Sequence, residues 1–318
     1  MALTSGMADE KKPNLTSPRC AIIGNPDQSQ AEEEEEVGEE NGVLFYVNKS
    51  GFPLNDKTWE RMWHHVAKIH PDGNKMVTEI RNSKELPRVP MPVVPVFPTN
   101  TPITDRLWMV QKYMSDLQYN HTGTQFFEIR KNRPLTGLID SAKEIIREAL
   151  PIKCLEAVIL GIHLTNGMPG VERFPVSFKS QFGSTVHRHV VLGVYCGGRY
   201  GALGMSRRED LMYKPLEFKC LSDLVLDYEE SYEGYFHVLK KVKIGYPVSH
   251  DPHSYECIHW KALTLNMTKL SKDGVRKEVE KYSREVRAKM KTSGLVSERP
   301  PLVPPPTSPR KDTPGRPN

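Results

Sequence analysis

The chain has 318 residues, 38% of them hydrophobic, and a formal charge of +5. That length suits one sizeable core plus tails rather than a single small module. The charge is uneven: residues 1–42 hold three basic and ten acidic side chains, a net of −7, so the remainder carries +12. A basic body of this kind favours acidic partners, yet no RNP, zinc-finger or heptad-basic signature is present, and nucleic acid ranks low.

Five cysteines (Cys20, Cys154, Cys196, Cys220 and Cys257) are too few and too widely spaced for a disulfide framework. No CxxC suggests a zinc knuckle, and no metal or cofactor is expected. Met1 to Asn14 lacks the apolar stretch of a conventional signal peptide. The longest apolar run, Leu155 to Ile162, includes Glu156 and is too short to span a bilayer. The expectation is a soluble protein of a reducing compartment.

Residues 1–42, with Glu32 to Glu36 in one block, cannot bury enough surface to fold and read as a disordered acidic tail. Order should begin near Val43-Leu44-Phe45. A helix is predicted from Asn55, where Trp59, Met62, Trp63, Val66 and Ile69 recur at three- and four-residue steps until Pro71-Asp72-Gly73. Its aromatic stripe fits core packing first and an interface second.

Pro87 to Pro102 reads as an extended connector. A second helix runs from Thr104 through Leu107, Val110, Met114 and Leu117, closing a small N-terminal helical lobe over residues 43–120. A third helix, Thr136 to Leu150, leads to Pro151, which is expected to open the next one in its first turn. Strands are predicted over Phe174–Phe178, His187–Cys196 and Arg199–Leu203, with a hairpin at Gly197-Gly198. Leu221 to Tyr235 reads as helix, Val238 to Ile244 and Ile258 to Leu265 as strands, and Ser271 to Met290 as a charged helix. Residues 292–318 are rich in proline and serine and read as a second disordered tail. Helices followed by antiparallel strands give an α+β class.

One constellation carries chemistry. Pro151-Ile152-Lys153-Cys154 introduces a thiol at a helix start, where backbone N–H groups and the helix dipole favour a thiolate, and Lys153 adds positive charge. Buried inert cysteines are the commoner case, so position alone does not decide. His189 lies on a strand, with His187 and Val191 on the same face. Ser206 follows in Gly204-Met205-Ser206-Arg207-Arg208. These are the parts of a papain- or transglutaminase-like thiol hydrolase, and the paired arginines suggest a substrate carboxylate. A hydroxyl is an unusual third member. Either Ser206 orients the imidazole, or a backbone carbonyl does and Ser206 meets substrate.

Several unusual blocks resemble the vasohibin family: Val47-Asn48-Lys49-Ser50-Gly51-Phe52-Pro53, Trp59-Glu60-Arg61-Met62-Trp63, Leu117 to Phe127, Leu150 to Gly161 and Arg199 to Met212. The similarity spans roughly Gly42 to Lys291. It implies a transglutaminase-like cysteine peptidase core over residues 121–291. The implied activity is removal of the C-terminal tyrosine of α-tubulin on microtubules, in complex with the small vasohibin-binding protein, a helical chain.

The resemblance makes Cys154 the nucleophile, His189 the base and Ser206 the third member. Tyr119 then serves as oxyanion donor, and Lys153, Ser206 and Arg207 hold the terminal carboxylate. Arg130, Lys131, Arg133, Lys179 and Arg188 form the basic groove for the acidic residues before it. Trp59, Met62 and Trp63 are the partner-docking residues. The chain departs from the family pattern at Gly183-Ser184-Thr185-Val186-His187, which is less aromatic than usual. The implied setting is cytoplasm and cytoskeleton, with any export by an unconventional route.

Three rival readings are weaker. A metallo-carboxypeptidase could use His253-Ser254-Tyr255-Glu256, but the remaining ligand set is missing. A transglutaminase-type acyltransferase would use the same Cys-His pair with an amine, although its glutamine substrate brings no carboxylate for Arg207 and Arg208. A non-enzymatic binder of microtubules or another acidic surface would leave Cys154 dispensable.

Overall fold

The computed structural model describes residues 55–85, 91–121 and 125–292. The acidic tail, the expected onset of order at Val43, the block from Val47 to Pro53, residues 86–90 of the connector and the tail beyond residue 292 lie outside the described residues.

Among the described residues, seven α-helices and six strands follow one another in chain order. The helices are α1 (Asp56–Ile69), α2 (Gly73–Asn82), α3 (Ile103–Leu117), α4 (Leu135–Glu148), α5 (Cys154–Leu164), α6 (Leu221–Gly234) and α7 (Lys272–Thr292). The strands are β1 (Glu172–Phe182), β2 (Thr185–Cys196), β3 (Arg199–Leu203), β4 (Lys214–Phe218), β5 (Val238–Ile244) and β6 (Leu263–Asn266). They form one antiparallel sheet ordered β4-β3-β2-β1-β5-β6. The α+β class holds.

Helices cover both faces of this sheet. On one side Val190, Leu192, Val194 and Leu203 pack with α3, α4 and α5. On the other, Phe174, Val176, Phe178 and Val191 pack with α6 and α7. Strand β2 is therefore buried on both faces from Val190 to Val194, which accounts for its unbroken apolar run. Helix α5 is apolar nearly all round and buried from Glu156 to Ile162, as a central helix must be. Helix α3, expected within the N-terminal lobe, buries Leu107, Val110, Tyr113, Met114 and Leu117 in the same core as α4 and α5.

Helix α1 starts as predicted, with the Asn55 side chain accepting a hydrogen bond from the Thr58 N–H at 2.8 Å. Two expectations need correction, and two elements went unpredicted. The Pro-Asp-Gly turn ends α1 but starts α2, which periodicity did not reveal. Pro151 does not enter the cysteine helix. Ile152 pairs with the chain at Tyr119, receiving Asn120 N–H at 2.9 Å and donating to Gln118 O at 3.0 Å, and this extended backbone delays the helix to Cys154. The strand expected over Ile258–Leu265 is confined to Leu263–Asn266, because residues 257–260 bond to the loop before α4 and to Tyr246. Strand β4 went unpredicted: its proline sits on an edge strand, where a missing N–H costs little.

Gly245 illustrates how tightly the elements meet: a Cβ there would lie 2.2 Å from the His259 carbonyl oxygen, while the Gly245 carbonyl accepts the Tyr282 hydroxyl at 2.6 Å. Gly245→Ala must displace backbone, so urea unfolding should show a loss of about 1–3 kcal/mol.

Candidate active site

Strand β2 pairs with β1 along its whole length, from Thr185 to Tyr195, but with β3 only from Leu192 to Cys196. On the β3 side, residues 185–191 have no strand beside them. The chain leaves β3 at Leu203 and runs through Gly204-Met205-Ser206-Arg207-Arg208 to a 3₁₀ turn at Glu209–Leu211. This loop fills part of the gap, and its Leu211 carbonyl reaches His189.

Both ends of the loop are pinned by buried side chains. At the start, the Gln111 amide of α3 pairs with the Gly204 peptide: Nε2 donates to Gly204 O at 2.9 Å, and Oε1 accepts Gly204 N–H at 3.0 Å. Gly204 also lies against β2, where a Cβ would come within 2.9 Å of Val191 Cγ1. At the far end, the fully buried Tyr228 donates from its hydroxyl to Met212 O at 2.9 Å. Arg207 and Ser206 are thus carried between two rigid anchors.

His189 is held by this loop. Its Nε2 lies 2.7 Å from the Leu211 carbonyl oxygen. A carbonyl can only accept, so Nε2 carries the hydrogen and, in the neutral ring, Nδ1 keeps the lone pair. The ring stacks on Phe178, with centroids 6.2 Å apart. Burial lowers its pKa to about 4, against which the Leu211 bond acts only weakly. The imidazole is neutral at physiological pH. Ser206 Oγ instead accepts the Arg208 N–H at 3.2 Å, a local turn bond. Of the two roles open for Ser206, imidazole orientation is taken by the Leu211 carbonyl.

Cys154 is half-buried at the first residue of α5 and is not part of a disulfide. The helix start is capped by Glu156, a buried carboxyl whose Oε2 accepts the Lys153 N–H at 3.2 Å. Desolvation raises the Glu156 pKa, partly offset by hydrogen bonds and the Lys153 charge. Cys154 lies within electrostatic reach of Tyr232, whose phenol burial pushes far up. Tyr232 packs on Phe178 at 5.7 Å, and Phe178 on His189, so one aromatic cluster links the Tyr232 phenol to the imidazole.

Tyr119 joins the same locality through its pairing with Ile152, two residues before Cys154. The Arg207 guanidinium lies over the Tyr119 ring, 5.6 Å from its centroid. Tyr119, Lys153, Cys154 and the Ser206–Arg207 loop therefore converge from three separate parts of the chain.

The groove residues fall into two groups. Lys179 on β1 and Arg188 on β2 are direct ladder partners. Arg130, Lys131 and Arg133 lie in the loop before α4, where Arg130 pairs with Glu128 at 3.0 Å and Lys131 lies 5.4 Å from the Trp260 centroid. On α1, Trp59 and Trp63 stack at 6.1 Å and Met62 packs against the core, whereas Trp59 stays 42% exposed. Helix α1 also adjoins the site: burial lowers the His65 pKa, with Lys68 and Lys153 adding to the shift. The positions sequence reading did not supply are Gln111, Leu211, Tyr228, Tyr232 and His65.

Among the described residues, no helix is long and apolar enough to cross a membrane, and no three His, Cys, Asp or Glu side chains are placed to hold a metal. A thiol at a helix start and an imidazole anchored by a carbonyl are the kinds of side chain that a thiol hydrolase uses. The vasohibin family model matches residues 43–287, and the chain belongs to that family. It is 58% identical over 282 residues to mouse tubulinyl-Tyr carboxypeptidase 1, covering 87% of this chain and 75% of the relative.

The neutral imidazole has a consequence for stability. Its folded pKa lies below the unfolded value of 6.5, so between those values the unfolded chain binds more protons. Stability from this group is complete above pH 6.5 and is lost as pH falls toward 4. Urea unfolding at pH 7 and 4.5 should show wild type losing about 2–3 kcal/mol more than His189→Gln.

Proposed function

We propose that this chain is a cysteine-type carboxypeptidase that removes the C-terminal tyrosine of α-tubulin. The observation that carries the reading is the Arg207 guanidinium over Tyr119, on the same loop whose Leu211 carbonyl holds His189 and next to the Ile152 bridge that leads into Cys154. The likeness to a tubulinyl-Tyr carboxypeptidase supports the substrate.

Cys154 Sγ attacks the carbonyl carbon of the penultimate residue. His189 Nδ1 takes the thiol proton and delivers it to the departing tyrosine amine, leaving a thioester. Water, deprotonated by the same Nδ1, attacks the thioester, releasing the shortened chain with a new carboxylate and returning the proton to sulfur. The Tyr119 hydroxyl donates to the oxyanion. Lys153 and Arg207, with the Ser206 hydroxyl, bind the tyrosine carboxylate. An internal peptide bond offers no charge there and leaves these groups unpaired, which makes the enzyme an exopeptidase.

Lys179 and Arg188, with Arg130, Lys131 and Arg133, receive the acidic residues upstream of the tyrosine. The small vasohibin-binding protein docks a helix on the Trp59, Met62 and Trp63 surface, where an exposed tryptophan beside a core-anchored methionine favours helix-in-groove binding. The enzyme works in the cytoplasm on the cytoskeleton.

Tyrosine release from a tail peptide by the co-expressed complex tests the reading. Cys154→Ala and His189→Ala should abolish it while tail binding persists, and continued release by Cys154→Ala would remove the thiol from the chemistry. Arg207→Ala should cost about 2–4 kcal/mol in kcat/KM, and a C-terminally amidated peptide should be a poor substrate. Ser206→Ala should raise KM and leave the pH profile unmoved, because Leu211 holds the imidazole.

A further inference from the structure

On the sheet face that bears α5, β1 is buried only at its start, where Arg173 donates to Ile162 O of α5 and Pro175 lies beside Leu192; further along β1 and across β5 the residues on this face are only half-buried. Strand alternation places Arg188, Lys179 and Lys241 side by side on this face, since Lys179 pairs with Arg188 on one side and Lys241 on the other. Lys243 follows on β5, opposite Ser177. Arg188 is exposed, and Lys179, Lys241 and Lys243 are half-buried. Adjacent strands are about 4.8 Å apart, and like charges directly opposite destabilise a sheet. A cationic row across three strands is an arrangement that an anionic chain would relieve.

The same polypeptide contains such a chain. Between Glu32 and Glu40 it has seven glutamates and no basic residue. Residues 37–54 link Glu36 to the start of the described structure at Asn55. Fully extended, that linker reaches about 60 Å. A domain of this size has a radius of gyration of about 18 Å, so most of its surface lies within reach. Tethering of this kind gives an effective concentration on the order of millimolar.

We propose that the acidic segment Glu32–Glu40 occupies the Arg188–Lys179–Lys241 row and competes with the acidic stretch of the substrate. The inference rests on the tail-groove reading of Lys179 and Arg188, and adds Lys241 and Lys243 to it. Being internal, the segment brings no chain-end carboxylate to Arg207 and so acts as a tethered competitor that is not cut. Its grip is ionic and weakens with salt, so the brake is strongest at low ionic strength.

The test uses the full chain co-expressed with its small partner, comparing wild type with a variant in which Glu32–Glu36, Glu39 and Glu40 are all glutamine. In about 50 mM salt the variant should show a KM for the tail peptide some 3–10-fold lower at unchanged kcat, and in about 300 mM salt the difference should vanish. A labelled synthetic peptide of residues 30–42 should bind the variant by fluorescence anisotropy, and Lys241→Gln with Lys243→Gln should weaken that binding. Equal KM values at low salt, or no binding of the peptide, would overturn the proposal. A KM raised by Lys241→Gln with no effect of the glutamate changes would assign the row to substrate alone, and would also overturn it. If neither form releases tyrosine, the functional reading fails, and the peptide-binding measurement still decides this inference.

Discussion

The site depends on an interruption in the sheet. Where β3 turns away at Gly204, half of β2 loses its neighbour, and its edge would be left to water or to an incoming strand. The chain fills that edge with its own loop, and the bond from His189 to Leu211 O is part of the filling. Closing the edge and orienting the imidazole are therefore one structural event. A strand continued past Leu203 would satisfy the sheet and bury the reactive groups.

The loop is short of secondary structure, and its geometry comes from outside it. Gln111 mimics a strand neighbour, since its amide exchanges both a donor and an acceptor with the Gly204 peptide. Losing that side chain would leave two buried backbone groups unpaired, at about 1–3 kcal/mol each. Tyr228 performs the corresponding task one residue beyond Leu211, from a helix on the opposite face of the sheet. The carbonyl that fixes the imidazole tautomer is thus braced through α6, and the arginine over Tyr119 through α3. Helices from both layers position a single loop, which gives those layers a role beyond core burial.

Sequence patterns disclosed most elements wherever a single periodicity operated. The stripes of α1, α3 and α4 and the apolar run of β2 were legible because burial on a helix face or within a sheet leaves a repeat. Helix α2 was hidden because Pro71-Asp72-Gly73 reads as a stop, although it also supplies a start. The first residue of α5 depended on pairing between Ile152 and Tyr119, a long-range contact with no local signature. The same division runs through the site. Cys154, His189 and Arg207 are conspicuous as side chains, whereas Leu211 acts through a carbonyl common to every residue. Gln111 acts 93 positions from Gly204, and nothing in its local sequence distinguishes it from a surface amide.

On the proposed reading, the low basicity of His189 and the surrounding cations act together on specificity. Burial disfavours an imidazolium, and the bond to the Leu211 carbonyl offsets that only in part. Lys153 and Arg207 favour an oxyanion. Proton transfer from sulfur to Nδ1 is held back by the burial of the ring, and an anion bound nearby favours the imidazolium. A chain-end carboxylate supplies that anion at the moment it is bound. An internal segment of polypeptide, however acidic along its length, brings no carboxylate to Arg207 and leaves the base as weak as before. Selection for a chain terminus then operates on the proton-transfer step as well as on binding, through charges that remain in place throughout.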